Sequence, residues 1–298
     1  MVVVGGGAAG LSAALMLGRA RRSVLVVDAG EPRNAPAAHM QGVLSRDGTP
    51  PGEFLRIARE EVERYGVEIH RGTVLSIDDA VVEIDNRPPV RARRVLLAGG
   101  LRDELPDVPG LRQRWGRDVL HCPYCHGWEV RDREIAVLAT GPLSVHQALL
   151  WRQWTPHLTY LAHSQRPTAE QAEQLAARGI SVVTARVTGL AVDDDRLTGV
   201  HLHNGVTLPL DALAVGARFS PRVPAVPGLT AVPHPSGMGT HIPVDATGRT
   251  AVPGIWAAGN TADPGAAVPV AIATGATAAH MINMDLITED TDLAVRAA

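Results

Sequence analysis

Cysteine is scarce in this sequence, with two residues in 298, and that number excludes a framework of structural disulfides. Aromatic residues make up only 3%, and no uninterrupted run of about 18 apolar residues occurs, so we expect no membrane-spanning helix. The net charge is −3 and basic residues form no cluster, which argues against binding to nucleic acid or to an acidic membrane surface. Small-molecule or thiol partners are therefore expected.

The start of the chain shows no targeting segment. Residues 2–4, directly after Met1, are typical of a short buried strand and leave no room for a signal peptide. We therefore expect a cytoplasmic protein. A hydrophobic fraction of 45% is ample for packed cores, and the length suggests two domains.

Two copies of a strand-turn-helix-strand pattern organise the chain. The first begins with the strand at residues 2–4 and continues through a glycine-rich turn and a helix to a strand at residues 24–28. The second has strands at residues 135–139 and 158–161 with a helix between them. The pattern predicts an α/β fold with two Rossmann-like nucleotide-binding domains.

Proline-bearing segments separate the two copies and predict that the second domain is inserted into the first. The expected boundaries are residues 1–114 with 218–298 for the outer domain, and 115–217 for the insert. A helix of small residues from about 268 to 285 is expected near the end of the chain, with a frayed polar tail after residue 288.

The first glycine turn has the residues of a dinucleotide site. Gly5, Gly7 and Gly10 supply a tight turn, a close backbone approach to a diphosphate and close packing of helix on strand. A helix that begins near Ala8 favours the diphosphate charge, and Asp28 ends the second strand where an acid accepts ribose hydroxyls. The alternative is a glycine-rich turn of purely structural use.

The turn alone does not distinguish NAD(P) from FAD, but distant segments favour the longer cofactor. Arg33 and Asn34 follow Asp28 closely, and a strand end at Ala98-Gly99 provides a second approach to a nucleotide. Gly259-Asn260 provides a third, followed by a helix N-terminus. A cofactor that touches three separated segments suggests FAD.

The two cysteines lie in one short segment that is suited to redox chemistry. Cys122 and Cys125 are separated by two residues and can close a small disulfide ring. His121 and His126 flank them, and imidazole suits proton transfer to and from thiols near neutral pH. His126 is the favoured general base and His121 the second candidate. The alternatives are inert buried thiols, a covalent haem attachment or a zinc site.

These residues resemble the low-molecular-weight thioredoxin reductase family over essentially the whole chain. The segment Cys-Pro-Tyr-Cys-His-Gly-Trp-Glu is most similar to that of microbial dithiol oxidases, which close disulfides in holomycin and gliotoxin. The resemblance implies that Cys125 faces the flavin and that Cys122 exchanges with substrate. It also implies a homodimer. His126 stands where ordinary thioredoxin reductases have aspartate.

The resemblance also assigns cofactor positions in the outer domain. Those that fall where the family binds FAD are Gly6, Gly7, Ala8, Ala9, Asp28, Val74 and Asn260, and those that fall against the isoalloxazine are Ala266, Ala267 and Val268. Asparagine at 260 replaces the family's usual aspartate, and alanine at 267 replaces a frequent glutamine.

The second turn departs from a nicotinamide site. Ala139, Gly141 and Ser144 stand at the positions of the three glycines, and Pro142 removes a backbone N–H that would bind phosphate. One arginine, Arg166, follows the next strand where the family has a cluster. NADPH binding is therefore doubtful, which favours an oxidase that passes electrons from thiols through FAD to O2. The alternatives are NADPH binding by unusual residues and a non-catalytic flavoprotein.

Overall fold

The computed structural model describes residues 1–298 and divides them into two compact units. The first comprises residues 1–35, 49–102 and 219–298, and the second comprises residues 36–48 and 103–218. The α/β class with parallel sheets is confirmed.

This division differs from the expected boundaries at two places. The insert begins at residue 103, because Leu190 of the second unit donates its backbone N–H to the Pro109 carbonyl at 3.1 Å. The loop 36–48 also belongs to the second unit, where Gln41 donates to the Glu129 carboxylate at 3.1 Å. The sequence pattern carries no sign of these contacts, since both are made across long separations in the chain.

The first unit is built on a parallel sheet of five strands. Its elements are β1 (Val2–Val4), α1 (Ala8–Arg19), β2 (Leu25–Asp28), α2 (Pro51–Glu63), β3 (Glu68–Arg71), β4 (Val74–Asp78), β5 (Val81–Ile84), β6 (Arg87–Arg91) and β7 (Val95–Leu97), then, after the insert, β18 (Val232–Pro233), β19 (Thr240–His241), β20 (Ile255–Ala257), a 3₁₀ turn (Gly259–Thr261) and α7 (Val268–Ala297). The strand order is β20-β7-β1-β2-β3, and β4, β5 and β6 form a separate antiparallel sheet. The ends of β1, β2, β7 and β20 therefore lie at one edge.

Small residues let α7 pack closely on α1. A Cβ on Gly275 of α7 would lie 2.1 Å from the carbonyl oxygen of Ala9 in α1. A Cβ on Gly259, which has φ +62°, would lie 2.8 Å from the Ala9 Cβ. Ser12 also donates to the Ile272 carbonyl at 2.8 Å. These contacts hold the starts of both helices beside the glycine turn.

Helix α7 continues well past the predicted end at residue 285, and the expectation of a frayed tail is wrong. The acidic residues Asp285, Glu289 and Asp290 pair with Arg94 and Arg93 on the strand side of the unit, at distances of 2.5–3.0 Å. By length and composition α7 could cross a membrane. Its buried side chains join the core that α1 contributes to.

The second unit contains a second parallel sheet. Its elements are α3 (Leu111–Arg114), β9 (Val119–Leu120), α4 (Pro123–His126), β10 (Ile135–Leu138), α5 (Ser144–Trp151), β11 (Leu158–Leu161), α6 (Ala169–Ala177), β12 (Ser181–Val183), β13 (Val187–Asp193), β14 (Arg196–Leu202), β15 (Thr207–Pro209) and β16 (Ala212–Val215). The strand order is β12-β11-β10-β16-β9, and β13, β14 and β15 form an antiparallel sheet. The connecting strands β8 (Leu101–Glu104) and β17 (Arg218–Pro221) pair with each other.

Candidate active site

The glycine turn between β1 and α1 is shaped by close backbone packing. Gly5 has φ +103°, and a Cβ there would lie 2.4 Å from the Ala98 carbonyl oxygen. A Cβ on Gly10 would lie 1.9 Å from the Gly5 carbonyl oxygen. Any side chain at either position would push the turn apart, so both glycines are required by the geometry.

Gly7 differs from these two glycines because the space beside it is open. It is the N-cap of α1, and a Cβ there would meet nothing within 4 Å. No side chain caps the helix, and its first turn, from Ala8, carries no acidic residue. Backbone N–H groups and the positive end of the helix dipole therefore face this space, which suits a diphosphate.

Asp28 lies beside the same turn at the end of β2. Its Oδ1 accepts a hydrogen bond from the Gly6 backbone N–H at 3.1 Å, and its Oδ2 accepts one from Arg59 at 3.0 Å. A carboxylate has further lone pairs beyond these two bonds, so it can still accept ribose hydroxyls. The sequence reasoning missed Arg59, because its contact depends on how α2 packs.

Two segments far apart in the chain meet at the same edge. Arg33 lies 3.5 Å from the Asn260 side-chain oxygen, 227 residues away, and its guanidinium stacks on the Phe219 ring at 4.8 Å. Asn260 donates its side-chain N–H groups to carbonyls of the following loop, including that of Ala266 at 2.9 Å. Asn34 is half-buried in the same loop as Arg33. These contacts shape the loop that leads to α7.

The remaining predicted cofactor residues divide into edge positions and one core position. Ala98, Gly99 and Gly259 lie at the carboxyl ends of β7 and β20, and the Gly259 N–H donates to Thr274 at 3.1 Å. Ala267 is the N-cap of α7, again without a side-chain cap, and Val268 is its first residue. The Val74 side chain is packed in the core with Val2 and Val27. The predicted contact of Val74 with the cofactor would therefore be made by its backbone.

In the second unit, the cysteine pair occupies a single helical turn directly after β9. Cys122 is the N-cap of α4, and its carbonyl accepts the backbone N–H groups of Cys125 and His126, each at 3.2 Å. Both cysteines are half-buried thiols. Gly127 follows because a Cβ there would lie 2.8 Å from the Trp154 ring. The turn brings the four predicted catalytic residues together in one short segment.

A backbone carbonyl holds the His121 ring. Its Nδ1 lies 3.1 Å from the Val215 carbonyl oxygen at the end of β16. Because a carbonyl only accepts, Nδ1 must carry a proton in this bond. The bond fixes the orientation of the His121 ring immediately before Cys122.

Burial favours the neutral form of His126. Burial lowers its pKa below the ordinary imidazole value, and the nearby Glu129 carboxylate opposes that shift only in part. A neutral imidazole beside Cys125 can take up a thiol proton. Both histidines thus remain candidates for the general base.

We expect His126 to make the folded protein less stable on acidification. The pKa of His126 is lower in the folded protein than in the unfolded chain. As the pH falls from about 6.5 toward the pKa of the folded protein, the unfolded chain therefore binds more protons than the folded protein does. The free energy of unfolding falls over this range. Above about pH 7 the effect is absent. Thermal unfolding of the wild type and of His126→Asn from pH 8 to 5 measures this. The variant should lose less stability at pH 5, and parallel curves would contradict the assignment.

The turn between β10 and α5 differs from the turn at Gly7 because a side chain of the protein binds its backbone N–H groups. The Ser144 hydroxyl accepts the backbone N–H groups of Thr140 at 3.1 Å and Gly141 at 3.2 Å, and Ser144 is buried. Ser164, after β11, donates its hydroxyl to the Ala139 carbonyl at 3.2 Å. The backbone groups of this turn are therefore bonded internally. Serine at 144 is visible in the sequence, but its bonds depend on the turn's conformation.

The two units together define a flavoprotein-like disulfide oxidoreductase, with a dinucleotide cradle in one unit and a cysteine pair flanked by histidines in the other. The cradle fits FAD, because the uncapped helix start at Gly7 and the carboxylate of Asp28 have the chemistry of its diphosphate and ribose. No three His, Cys, Asp or Glu side chains lie close enough to share a metal ion.

Comparison with known proteins identifies the family. The profile of the pyridine nucleotide-disulphide oxidoreductases matches residues 1–278, and the chain belongs to that family, which implies FAD as a cofactor. It is 30% identical to thioredoxin reductase sirT of Leptosphaeria maculans over 97% of this chain and 94% of that protein.

Two solved structures extend the similarity. The crystal structure of HlmI is 45% identical, covers 100% of this chain and 95% of its own, and superposes with a TM-score of 0.93. An oxidoreductase from Agrobacterium tumefaciens is 37% identical, with coverages of 96% and 98% and a TM-score of 0.90. The protein is therefore a thioredoxin reductase-like disulfide oxidoreductase, as the resemblance predicted.

Proposed function

We propose that this protein is a dithiol oxidase that closes a disulfide in a small-molecule or peptide dithiol and passes the electrons to O2. The observation that carries the proposal is the internally bonded turn at Ser144. In a nicotinamide site, the N–H groups of Thr140 and Gly141 would bind the diphosphate, whereas here they bind a buried hydroxyl. Pro142 provides no N–H in the same turn.

The end of the next strand supports the same conclusion. His163 Nδ1 accepts the Val187 backbone N–H at 3.1 Å, and the Ser164 hydroxyl is bonded to the Ala139 carbonyl. In the family this strand end carries the groups that recognise the 2′-phosphate of NADPH. Both side chains serve the fold of the second unit instead, and Arg166 is the single cation nearby in the sequence.

The proposed reaction balances through two exchanges. A substrate thiolate attacks the oxidised Cys122–Cys125 pair at Cys122, and the substrate's second thiolate then displaces Cys122, so that the substrate leaves as a disulfide and the pair becomes a dithiol. His126 or His121 accepts the thiol protons. Cys122 and Cys125 return to the disulfide with the loss of two electrons and two protons. FAD held at the Gly7 and Asp28 cradle would supply the two-electron acceptor chemistry, and O2, the proposed terminal acceptor, would be reduced to H2O2.

An NADPH-dependent disulfide reductase is the second candidate, because the similar fungal protein bears the name thioredoxin reductase. That reaction runs the cysteine pair in the opposite direction and needs a nicotinamide site in the second unit. A non-catalytic flavoprotein that senses redox state is the candidate from another class. It would need the same cradle but no exchange at Cys122.

One anaerobic experiment distinguishes the three functions. We expect purified yellow protein to lose its flavin absorbance near 450 nm within seconds when dithiothreitol is added, and to change little with equimolar NADPH. Readmitted air should restore the colour and yield one H2O2 per flavin. Rapid bleaching by NADPH would establish the reductase, and no bleaching by either reagent the non-catalytic protein.

The proposed assembly follows from the resemblance, which implies a homodimer. We propose a cytoplasmic homodimer, and light scattering of the purified protein tests the assembly. A mass of twice 31.5 kDa is expected.

A further inference from the structure

The residue before Cys122 is held from two sides. The Gln147 side chain of α5 donates its amide N–H to the backbone carbonyl of His121 at 3.1 Å. The His121 ring in turn bonds to the Val215 carbonyl at the end of β16. Backbone and ring of this one residue are thus fixed to two different elements, so the position from which the cysteine turn starts is defined.

These bonds cross the place where an open parallel sheet normally binds its ligand. From β10 the order of the second sheet runs to β11 and β12 on one side and to β16 and β9 on the other. The crevice at such a switch point, outside the carboxyl ends of the strands, is the usual ligand site of this fold class. Here the hydrogen bond between Gln147 and His121 bridges the crevice. The Thr140 hydroxyl, which follows β10, also donates to the Gly216 carbonyl, which follows β16, at 3.3 Å.

The cysteine turn needs such a hold. Helix α4 has only four residues, Pro123–His126, and a single helical turn is unstable by itself because nucleation is unfavourable. The backbone carbonyls of Cys122 and Pro123 accept its internal hydrogen bonds. The backbone just before Cys122, which the Gln147 amide holds, therefore fixes the start of this turn, while the Tyr124 ring packs on Trp154 within it.

We propose that Gln147 is a positioning residue for the redox pair and that the crevice of the second sheet serves to orient the Cys122–Cys125 turn. The inference deepens the proposed function and rests on it for the direction of electron flow. It does not require dithiol oxidation to be the natural activity, because the orientation of the turn also governs the reactivity of Cys122 toward simple reagents.

The test compares Gln147→Leu and Gln147→Glu with Gln174→Leu and Gln174→Glu, which alter an exposed glutamine of α6 in the same unit. Both Gln147 variants keep much of the bulk but remove the N–H donor. Two quantities are measured on flavin-loaded protein. The first is the rate of flavin bleaching by dithiothreitol. The second, measured after anaerobic reduction of the cysteine pair and removal of the reductant, is the pH profile of Cys122 alkylation by iodoacetamide, resolved by peptide mass spectrometry.

In both Gln147 variants we expect bleaching to slow about tenfold, the scale of one lost hydrogen bond in an aligned reaction. The rate of Cys122 alkylation should change at least about threefold. In Gln147→Glu, the added negative charge should move the pH profile of this rate to higher pH. The Gln174 variants should match the wild type. Unchanged alkylation profiles in the Gln147 variants, with or without a lower melting temperature, would overturn the inference. If wild-type flavin is not bleached by dithiol, the proposed function fails, while the alkylation profiles still decide the role of Gln147.

Discussion

Replacing Cys125 by serine is expected to abolish flavin reduction by dithiols while the flavin stays bound. Serine is nearly isosteric and keeps the single turn of α4, but it leaves Cys122 without the sulfur with which it would form a disulfide in the proposed reaction. No disulfide then exists for a substrate thiolate to attack. The rate should fall by on the order of a thousandfold or more, as when an enzyme loses an essential nucleophile.

The two single cysteine variants also assign the roles of the sulfurs. When each is incubated with a linear disulfide such as glutathione disulfide, Cys125→Ser should form a mixed disulfide through Cys122 and release one glutathione, and intact mass detects the adduct. Cys122→Ser should form much less of it. The flavin absorbance of both variants should equal that of the wild type, since the cradle at Gly7 and Asp28 belongs to the other unit. Persistent dithiol turnover in Cys125→Ser would contradict the mechanism.

The cofactor cradle was predictable because it depends on short-range rules. One strand ends just before Gly5 and a second ends at Asp28. Because these strands are parallel and adjacent, they bring the two residues to one edge. Conformation adds the reason for each glycine: Gly5 and Gly10 fill tight contacts, whereas Gly7 leaves space open. Spacing alone does not separate these two roles.

Other features could not be predicted because they depend on contacts between distant segments. The polar end of α7 resembled a frayed tail, since its acidic residues gain arginine partners only when the helix lies beside the start of β7. Arg59 reaches Asp28 only because α2 packs beside the parallel sheet of the first unit. Gln147 lies 26 residues from His121 and shares no motif with the cysteines.

Gly7 provides the second large effect, since Gly7→Asp should yield a folded but colourless protein. The backbone at this position has φ −82°, which any residue adopts, and a side chain there meets no neighbour within 4 Å. Aspartate is also a favourable N-cap, and in the absence of cofactor it should stabilise α1 by a few tenths of a kcal/mol through capping and by about 0.3–1 kcal/mol through the helix dipole. The same carboxylate would occupy the open space at the helix start and repel a diphosphate.

The expected loss of flavin affinity follows from that repulsion. Two like charges about 4 Å apart near a protein surface cost about 4 kcal/mol, which is on the order of a thousandfold in Kd. Gly7→Asn is the matched control, because asparagine has the same shape and also caps the helix but carries no charge. The ratio of absorbance at 450 nm to that at 280 nm measures the bound flavin, and thermal unfolding of both apoproteins measures the fold. If Gly7→Asp retained flavin as well as Gly7→Asn does, the diphosphate would have to bind away from the start of α1, and the cradle would need to be sought elsewhere at the sheet edge.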